Sequence, residues 1–197
     1  AKAYVESGIY ARVLVVAAEK MSSFIDYTDR STCILFGDGA GAMLLQASET
    51  AGVLSTHIHS DGQYEDLLNC PNPQAKGDNE TAGYISMRGN EVFKVAVTKL
   101  GEIVDETLEK SGMKKSDIDW LIPHQANIRI MQSTAKKLKM PLEKLIVTVD
   151  QHGNTSAASI PLALDHAVRS GKVKRGDMLM LEGVGGGFTW GAVLVQY

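Results

Sequence analysis

Pro-His-Gln-Ala-Asn at residues 123–127 and His-Gly-Asn-Thr-Ser at residues 152–156 are the two stretches that decide the fold. Each follows a short apolar run and precedes a pattern typical of a helix, so each lies at the end of a predicted strand. Ligands of open parallel sheets bind beyond the carboxyl ends of the strands. We therefore expect the side chains of His124 and Asn154 to converge on one small group.

A Gly-Gly-Gly stretch at residues 185–187 follows a third apolar run, at 178–181. Without Cβ atoms, the backbone N–H groups of glycines can approach a ligand closely enough to hold an oxyanion.

Other roles stay open for the side chains of His124 and Asn154. His124 at a strand end can simply bond a loop, and Asn154 can act only as a turn or N-cap residue.

The order of apolar patterns indicates an α/β protein. Strand patterns occur at 12–18, 33–36, 40–45, 53–59, 84–87, 120–122, 146–149, 178–184 and 189–196, and helix patterns at 1–7, 91–110, 128–139 and 159–170. The run at 12–18 is typical of a strand buried on both faces, and Cys33 is predicted to lie in the core. The βαβα order favours a mostly parallel sheet with helices on both faces. Residues 63–83 are predicted to be an irregular loop.

The composition excludes several classes of protein. At 44% hydrophobic and 22% charged residues the chain can build a core, and no apolar run approaches the roughly 18 residues of a membrane span. The net charge of −3 argues against a general nucleic-acid binder. Two cysteines without a zinc-type pair suit a reducing cytoplasm. We expect a cytoplasmic protein without a metal site that binds neither nucleic acid nor membrane.

The motifs together resemble those of the β-ketoacyl-acyl-carrier-protein synthase III family, the condensing enzymes that start bacterial fatty-acid synthesis. The matching stretches occur in family order at residues 29–30, 36–42, 124–129, 152–159 and 185–191. The resemblance implies a thiolase-like α/β fold, two related halves in a layered αβαβα arrangement. Residues 1–47 would end the first half, and residues 52–197 would form the second.

The resemblance also implies an acyltransferase that joins an acyl group, acetyl in the first instance, from acyl-CoA to malonyl-acyl-carrier protein with loss of CO₂. His124 and Asn154 would stabilise the enolate, and Gly186 would contribute to an oxyanion hole. The family nucleophile is a Cys that we expect before Ala1. The chain is then the C-terminal portion of a longer enzyme and inactive by itself. Coenzyme A thioester is a substrate here, and no cofactor is implied.

Further residues match positions of the family that bind substrate. The match implies that Arg30 packs on the CoA adenine and that Gly89 and Asn127 contact pantetheine. Phe93 would form a tunnel wall, and Leu68 and Ile85 would line the acyl pocket. Plain core packing is the alternative for the apolar residues of this set.

The helix pattern after His124 carries cations that suit an acidic partner. Arg129 matches the docking arginine of the family, and Lys136 and Lys137 would assist it in binding the carrier protein. A solvated helix face is the alternative for these lysines and for Lys139. The implied partners are acyl-CoA, malonyl-acyl-carrier protein, an N-terminal portion of the same enzyme and a second copy in a homodimer.

Two other functions stay open at this stage. One is a related thiolase-fold acyltransferase that makes a polyketide or quinolone precursor with the same His and Asn. The other is a non-catalytic portion that only binds a carrier protein or CoA.

Overall fold

The computed structural model describes residues 1–50, 52–71 and 83–197. The strands in these ranges are β1 (Arg12–Glu19), β2 (Gly39–Gln46), β3 (Gly52–Ser60), β4 (Leu68–Asn69), β5 (Ser86–Met87), β6 (Trp120–Pro123), β7 (Met178–Gly185) and β8 (Thr189–Gln196). The α-helices are α1 (Lys2–Glu6), α2 (Gly89–Ser111), α3 (Ile128–Lys137), α4 (Val149–His152) and α5 (Ser159–Arg169).

Helix α5 lies between two sheets. Strands β1 and β2 form an antiparallel pair, and the larger sheet has the order β3-β8-β7-β6. Helix α5 packs against β2 on one side and β6 on the other, while α2 covers the opposite face of the larger sheet beside α3. Sheets and helices therefore alternate in layers. Along the chain, the β1–β2 pair ends at Gln46 and the larger sheet begins at Gly52.

Helix α2 is long because its apolar residues recur on one face and its end is capped. Ala96, Leu100 and Val104 are buried on that face, which packs on the larger sheet. Gly112 ends the helix in the left-handed conformation, with φ of 67°. On the other side of the sheet, the small residues Ala163 and Ala167 let α5 approach closely. The packing fixes β6 and β7, whose ends carry the candidate site.

Two of the predicted strands are wrong. Residues 33–35 lie in turns and Phe36 forms only an isolated bridge. The turns form because the Asp29 carboxylate accepts hydrogen bonds from the Ser31 amide at 2.9 Å and the Thr32 hydroxyl at 2.8 Å. Residues 146–149 form no strand beyond a single bridge at Leu145, and Val149 begins α4. The predicted loop at 63–83 contains a 3-10 helix, Gly62–Leu67, and the short strand β4, and its residues 72–82 lie outside the described ones.

The predicted sheet direction is also wrong. Among the described strands only β6 and β7 pair in parallel, and the other pairs are antiparallel. Strand β1 is not buried on both faces, since Leu14 and Val16 are 61% and 60% exposed in a sheet of two strands. Cys33 is only partly buried, because it lies in a turn rather than in a core strand.

No helix within the described ranges is both long and apolar enough to cross a membrane. In the same part of the chain, no group of three or more His, Cys, Asp or Glu side chains is arranged to hold a metal ion.

Candidate active site

His124 lies at the end of β6, where the sequence pattern predicts it. Its backbone N–H donates to the carbonyl of Glu182 at 2.7 Å, which extends the pairing of β6 with β7 by one residue. Three residues later the Asn127 side chain caps α3 by accepting from the Arg129 amide at 2.8 Å. A strand and a capped helix thus fix both ends of the loop that carries His124.

Ser159, the first residue of α5, orients the imidazole of His124. The Ser159 Oγ lies 2.6 Å from His124 Nδ1 and accepts a hydrogen bond from the Gln125 amide at 3.1 Å. Since Ser159 is buried, its own hydroxyl proton has His124 Nδ1 as the acceptor within reach. This hydrogen bonding assigns the ring proton to Nε2.

The imidazole is neutral at physiological pH. Burial lowers the pKa of His124 to about 4, and a hydrogen bond with the Ser156 backbone partly opposes that effect. A neutral imidazole carries one N–H group, so Nε2 is its donor and Nδ1 its acceptor. His124 can therefore stabilise a developing negative charge without itself carrying a positive charge.

The second motif places Asn154 against the segment that leads into β2. The Asn154 N–H donates to the Leu35 carbonyl at 2.8 Å, and its carbonyl accepts from the Gly37 amide at 2.9 Å. A side chain at Gly37 would start 2.3 Å from the His152 carbonyl, and Gly153 has a φ of 67°. Glycine at both positions permits this close approach. Asn154 is thereby held by the segment that precedes β2, with which it forms an isolated β-bridge at Phe36.

The carboxamide of Asn154 has one fixed orientation. Its Oδ1 accepts from the Ser156 amide at 2.9 Å, so the Nδ2 hydrogens are directed elsewhere. Residue 154 is 9% exposed, and Nδ2 has no hydrogen-bond acceptor among the described side chains and backbone. Since the backbone of Ser156 contacts both His124 and Asn154, the two predicted residues lie together.

Gly186 lies in the turn between β7 and β8, beside Leu68. A Cβ atom built on Gly186 would be 3.1 Å from the Leu68 carbonyl oxygen, so these two predicted residues are neighbours. Ile85 precedes β5, and its amide donates to the Phe24 carbonyl at 2.8 Å. Strands β4 and β5, which pair Leu68 with Met87, hold this region together.

A groove of about 290 Å³ lies between α2 and α3. Phe93, Arg129, Gln132, Ser133 and Lys136 line it. The Arg129 guanidinium lies over the Phe93 ring, 5.6 Å from its centroid. Two predicted docking cations, Arg129 and Lys136, therefore border the same groove.

The remaining predicted residues lie at the edges of this region. The Lys137 side chain extends from α3 to α2, where its Nζ lies 3.5 Å from the Thr98 carbonyl oxygen. Gly89 is the first residue of α2, and Arg30 is exposed in the turns after Asp29. The structure thus brings His124 and Asn154 together, and Gly186 and Leu68 together, and it leaves Arg30 on the surface.

Three residues of this region had no predicted role: Gln125, Ser159 and Glu182. Glu182 is 1% exposed, burial raises its pKa to about 8, and neither carboxyl oxygen has a hydrogen-bond partner in the described residues. A Glu inside the apolar run of β7 is the sequence signal, because Glu is almost never fully buried without a partner. Nothing in the sequence distinguishes Ser159 from the other serines and threonines of its motif.

Comparisons with known proteins identify the family that this chain resembles. The sequence profile described as 3-oxoacyl-[acyl-carrier-protein] synthase III matches residues 1–62, and the profile of the C terminal of the same synthase matches residues 108–197. The beta-ketoacyl-[acyl-carrier-protein] synthase III of Methylococcus capsulatus is 58% identical over 195 residues, which are 98% of this chain and 61% of the relative. The chain thus spans about three fifths of the length of this curated relative.

Solved structures show the same fold. The crystal structure of 3-oxoacyl-[acyl-carrier-protein] synthase III from Aquifex aeolicus is 47% identical with a TM-score of 0.93, covering 99% of this chain and 61% of that one. The priming beta-ketosynthase of the R1128 polyketide pathway is 37% identical with a TM-score of 0.89, covering 98% of this chain and 59% of that one. The predicted thiolase-like α/β fold is confirmed. The chain belongs to the 3-oxoacyl-[acyl-carrier-protein] synthase III family.

Proposed function

We propose that residues 1–197 supply the decarboxylation site of an enzyme that initiates fatty-acid synthesis. The enzyme joins an acyl group from acyl-CoA to malonyl-acyl-carrier protein, with loss of CO₂, to give a 3-oxoacyl-acyl-carrier protein. One observation carries the proposal. Ser159 occupies Nδ1 of His124 and the Ser156 amide occupies Oδ1 of Asn154, so the donors that we propose for a substrate oxygen are His124 Nε2–H and Asn154 Nδ2–H.

Decarboxylation requires these two donors. When the bond between the malonyl carboxylate and the adjacent carbon breaks, its electron pair moves into an enolate and charge gathers on the thioester oxygen. Hydrogen bonds to that oxygen strengthen as the charge develops, and loss of one donor of this kind costs about 10²- to 10³-fold in rate. The lowered pKa of His124 keeps the imidazole neutral, so the empty site holds no unpaired buried cation.

The enolate carbon would then attack the acyl thioester. In the family mechanism that thioester is carried by a cysteine, which we expect outside residues 1–197. Covalent attachment divides the condensation into two easier steps. The attack places a negative charge on the former carbonyl oxygen, and the N–H of Gly186 is our candidate donor to it. Collapse of this intermediate expels the cysteine thiolate and leaves the new carbon–carbon bond.

The substrates would meet the site through residues that border it. We propose that the groove with Arg129 and Lys136 receives the acidic carrier protein, with Lys137 nearby. Phe93, Gly89 and Asn127 would contact the pantetheine chain. Leu68 and Ile85 would line the acyl pocket beside Gly186, and exposed Arg30 would pack on the CoA adenine. A cytoplasmic homodimer without a cofactor is part of the same proposal.

The priming condensation of polyketide synthesis is the second candidate function. The similarity to the R1128 priming beta-ketosynthase, at 37% identity, favours it specifically. Both functions use the same donors and differ in the acyl group that fits beside Leu68. Competition among acyl-CoA substrates of increasing length separates them, because a fatty-acid initiator of the acetyl type prefers the shortest.

The test uses a fusion enzyme of two parts. The N-terminal part is the segment of the M. capsulatus relative that lies before its match to this chain, and residues 1–197 form the C-terminal part. Radiolabelled acyl-enzyme formation and CO₂ release are measured in the parent and in the His124→Ala and Asn154→Ala variants. We expect CO₂ release to fall by about 10²-fold or more, while acyl transfer survives better. His59→Ala is the control, since His59 is exposed on β3 and bonds Glu106.

Two outcomes would contradict the proposal. Equal loss of both steps in both variants would remove the division of labour between the two donors and the nucleophile. A parent fusion that binds CoA and the carrier protein but never forms an acyl-enzyme would support a purely binding role.

A further inference from the structure

The side-chain amide of Gln125 bonds four backbone groups. Its Nε2 donates to the carbonyls of Pro123 at 2.8 Å and Ile146 at 3.2 Å. Its Oε1 accepts from the amides of Thr148 at 2.8 Å and Val149 at 3.2 Å. An amide side chain has two donor hydrogens and two acceptor lone pairs, so its capacity is filled. The residue is 1% exposed and meets no solvent.

These four bonds connect the two loops that carry the enolate donors. Pro123 ends β6 directly before His124, and Thr148 and Val149 begin the turn of α4 that leads to Asn154. The backbone N–H of Gln125 donates in turn to Ser159 Oγ, which contacts His124 Nδ1. Gln125 therefore bonds to both sides of the site through its side chain and main chain.

We propose that Gln125 is a positioning residue that sets the separation of His124 and Asn154 so that both donors reach one substrate oxygen. It acts through the two loops, since none of its amide groups is left for a substrate. The inference rests on the proposed function. Only an amide serves all four positions, because a carboxylate lacks donors and an apolar side chain lacks both donors and acceptors.

Two variants of the fusion enzyme distinguish the donor bonds of the Gln125 amide from its acceptor bonds. Gln125→Met removes all four bonds at similar length, and Gln125→Glu keeps the acceptors for Thr148 and Val149 but removes the donors to Pro123 and Ile146. We expect CO₂ release to fall by about 10²-fold in the Met variant, because small misplacements of reacting groups have effects of that size. Acyl transfer to the nucleophile is expected to change by about threefold or less.

The pH profile distinguishes positioning from a general loss of stability. In Gln125→Glu a protonated carboxyl regains one donor, so CO₂ release relative to acyl transfer should rise as the pH falls. Burial raises the pKa of such a carboxyl above its ordinary value of about 4.3. The Met variant has no such group, and its ratio should not follow pH. Gln151→Met is the matched control, since Gln151 is exposed on α4.

Hydrogen exchange tests the connection without reference to activity. The amides of Thr148 and Val149 should exchange faster in Gln125→Met than in the parent and stay protected in Gln125→Glu. Unchanged exchange in a folded Met variant would overturn the inference, as would CO₂ release within about twofold of the parent, or loss of acyl transfer by the same factor. If Gln125→Met does not fold, the Glu variant and its pH profile decide the question. A parent that releases no CO₂ would instead contradict the proposed function.

Discussion

The Asn154 carboxamide oxygen accepts a hydrogen bond from the Ser156 amide at 2.9 Å, which directs the Asn154 Nδ2 hydrogens away from Ser156. The same Ser156 backbone contacts His124. One short segment before α5 thus orients one donor and lies against the other.

Asn154→Asp should abolish decarboxylation while leaving the fold intact. The aspartate keeps an acceptor for the Ser156 amide but presents a second oxygen where the substrate needs a donor. We expect the rate of CO₂ release to fall by about 10²-fold or more, because a negative charge then faces the enolate oxygen. CO₂ release and thermal unfolding of the fusion enzyme are the measurements. A variant that melts like the parent and still releases CO₂ at the parental rate would contradict the assigned orientation.

Ser159→Ala should release the tautomer of His124. Without the hydroxyl, Nδ1 loses its donor at 2.6 Å and the proton can reside on either nitrogen. We expect ¹⁵N NMR of labelled histidine to show both neutral tautomers, and CO₂ release to fall by about tenfold, the effect of one net hydrogen bond of about 1.4 kcal/mol. Ser170→Ala, at the other end of α5, is the control. A single Nε2–H tautomer in Ser159→Ala would show that another group fixes the ring.

Glu182→Gln should remove a loss of stability that develops as the pH rises from about 4.3 to about 8. The folded-state pKa of Glu182 is raised to about 8 by burial, above the unfolded value of about 4.3. Its neutral form therefore suits the fold, and stability declines as the pH rises from about 4.3 through 8. Since Gln cannot ionise, we expect the variant to gain thermal stability over the parent at pH 8 and to lose that advantage at pH 5. Thermal unfolding of both proteins at the two pH values checks this.

A pH-independent difference between the two proteins would contradict the burial argument. It would mean that a group close to Glu182 already compensates the charge in the folded protein.

Arg129→Glu should weaken binding of the carrier protein and make it less sensitive to salt. Arg129 borders the groove with Lys136, and surface charges act over about 8–10 Å at ordinary ionic strength. We expect a higher apparent KM for malonyl-acyl-carrier protein with little change in the reaction of acyl-CoA. Lys139→Glu makes the same charge change beyond the end of α3 and is the control. Equal effects of the two substitutions would assign the result to net charge rather than to the groove.

The sequence predicted the location of His124 and Asn154 but not how they are held. Strand-end position was enough to place His124, whereas the strand predicted before Asn154 does not form and only the motif order grouped Asn154 with His124. The bonds from Ser159 to His124 and Gln125 span 35 and 34 residues, and no periodic pattern records a contact at such separations. The role of Gln125 was missed for the same reason.

The wrong strand predictions have local physical causes. The apolar run at 146–149 has a strand composition, but Gln125 Oε1 binds the amides of Thr148 and Val149 that a strand neighbour would need. The run at 33–36 is preceded by Asp29, whose carboxylate closes turns instead. In both places a polar side chain competes with sheet pairing, and an apolar pattern cannot reveal that competition.

The contact of Gly37 and Gly153 limits how enzymes of this kind can be recombined. The backbone N–H and carbonyl of Asn154 are hydrogen-bonded to residues 35 and 37, which precede β2. His124, by contrast, lies at the end of a strand of the larger sheet. A crossover between relatives near residue 50 would therefore separate Asn154 from the backbone that seats it. Parents that both have glycine at positions 37 and 153 should yield active hybrids. A parent with any side chain at position 37 should displace the Asn154 of the other parent, because that side chain would start 2.3 Å from the carbonyl oxygen of residue 152.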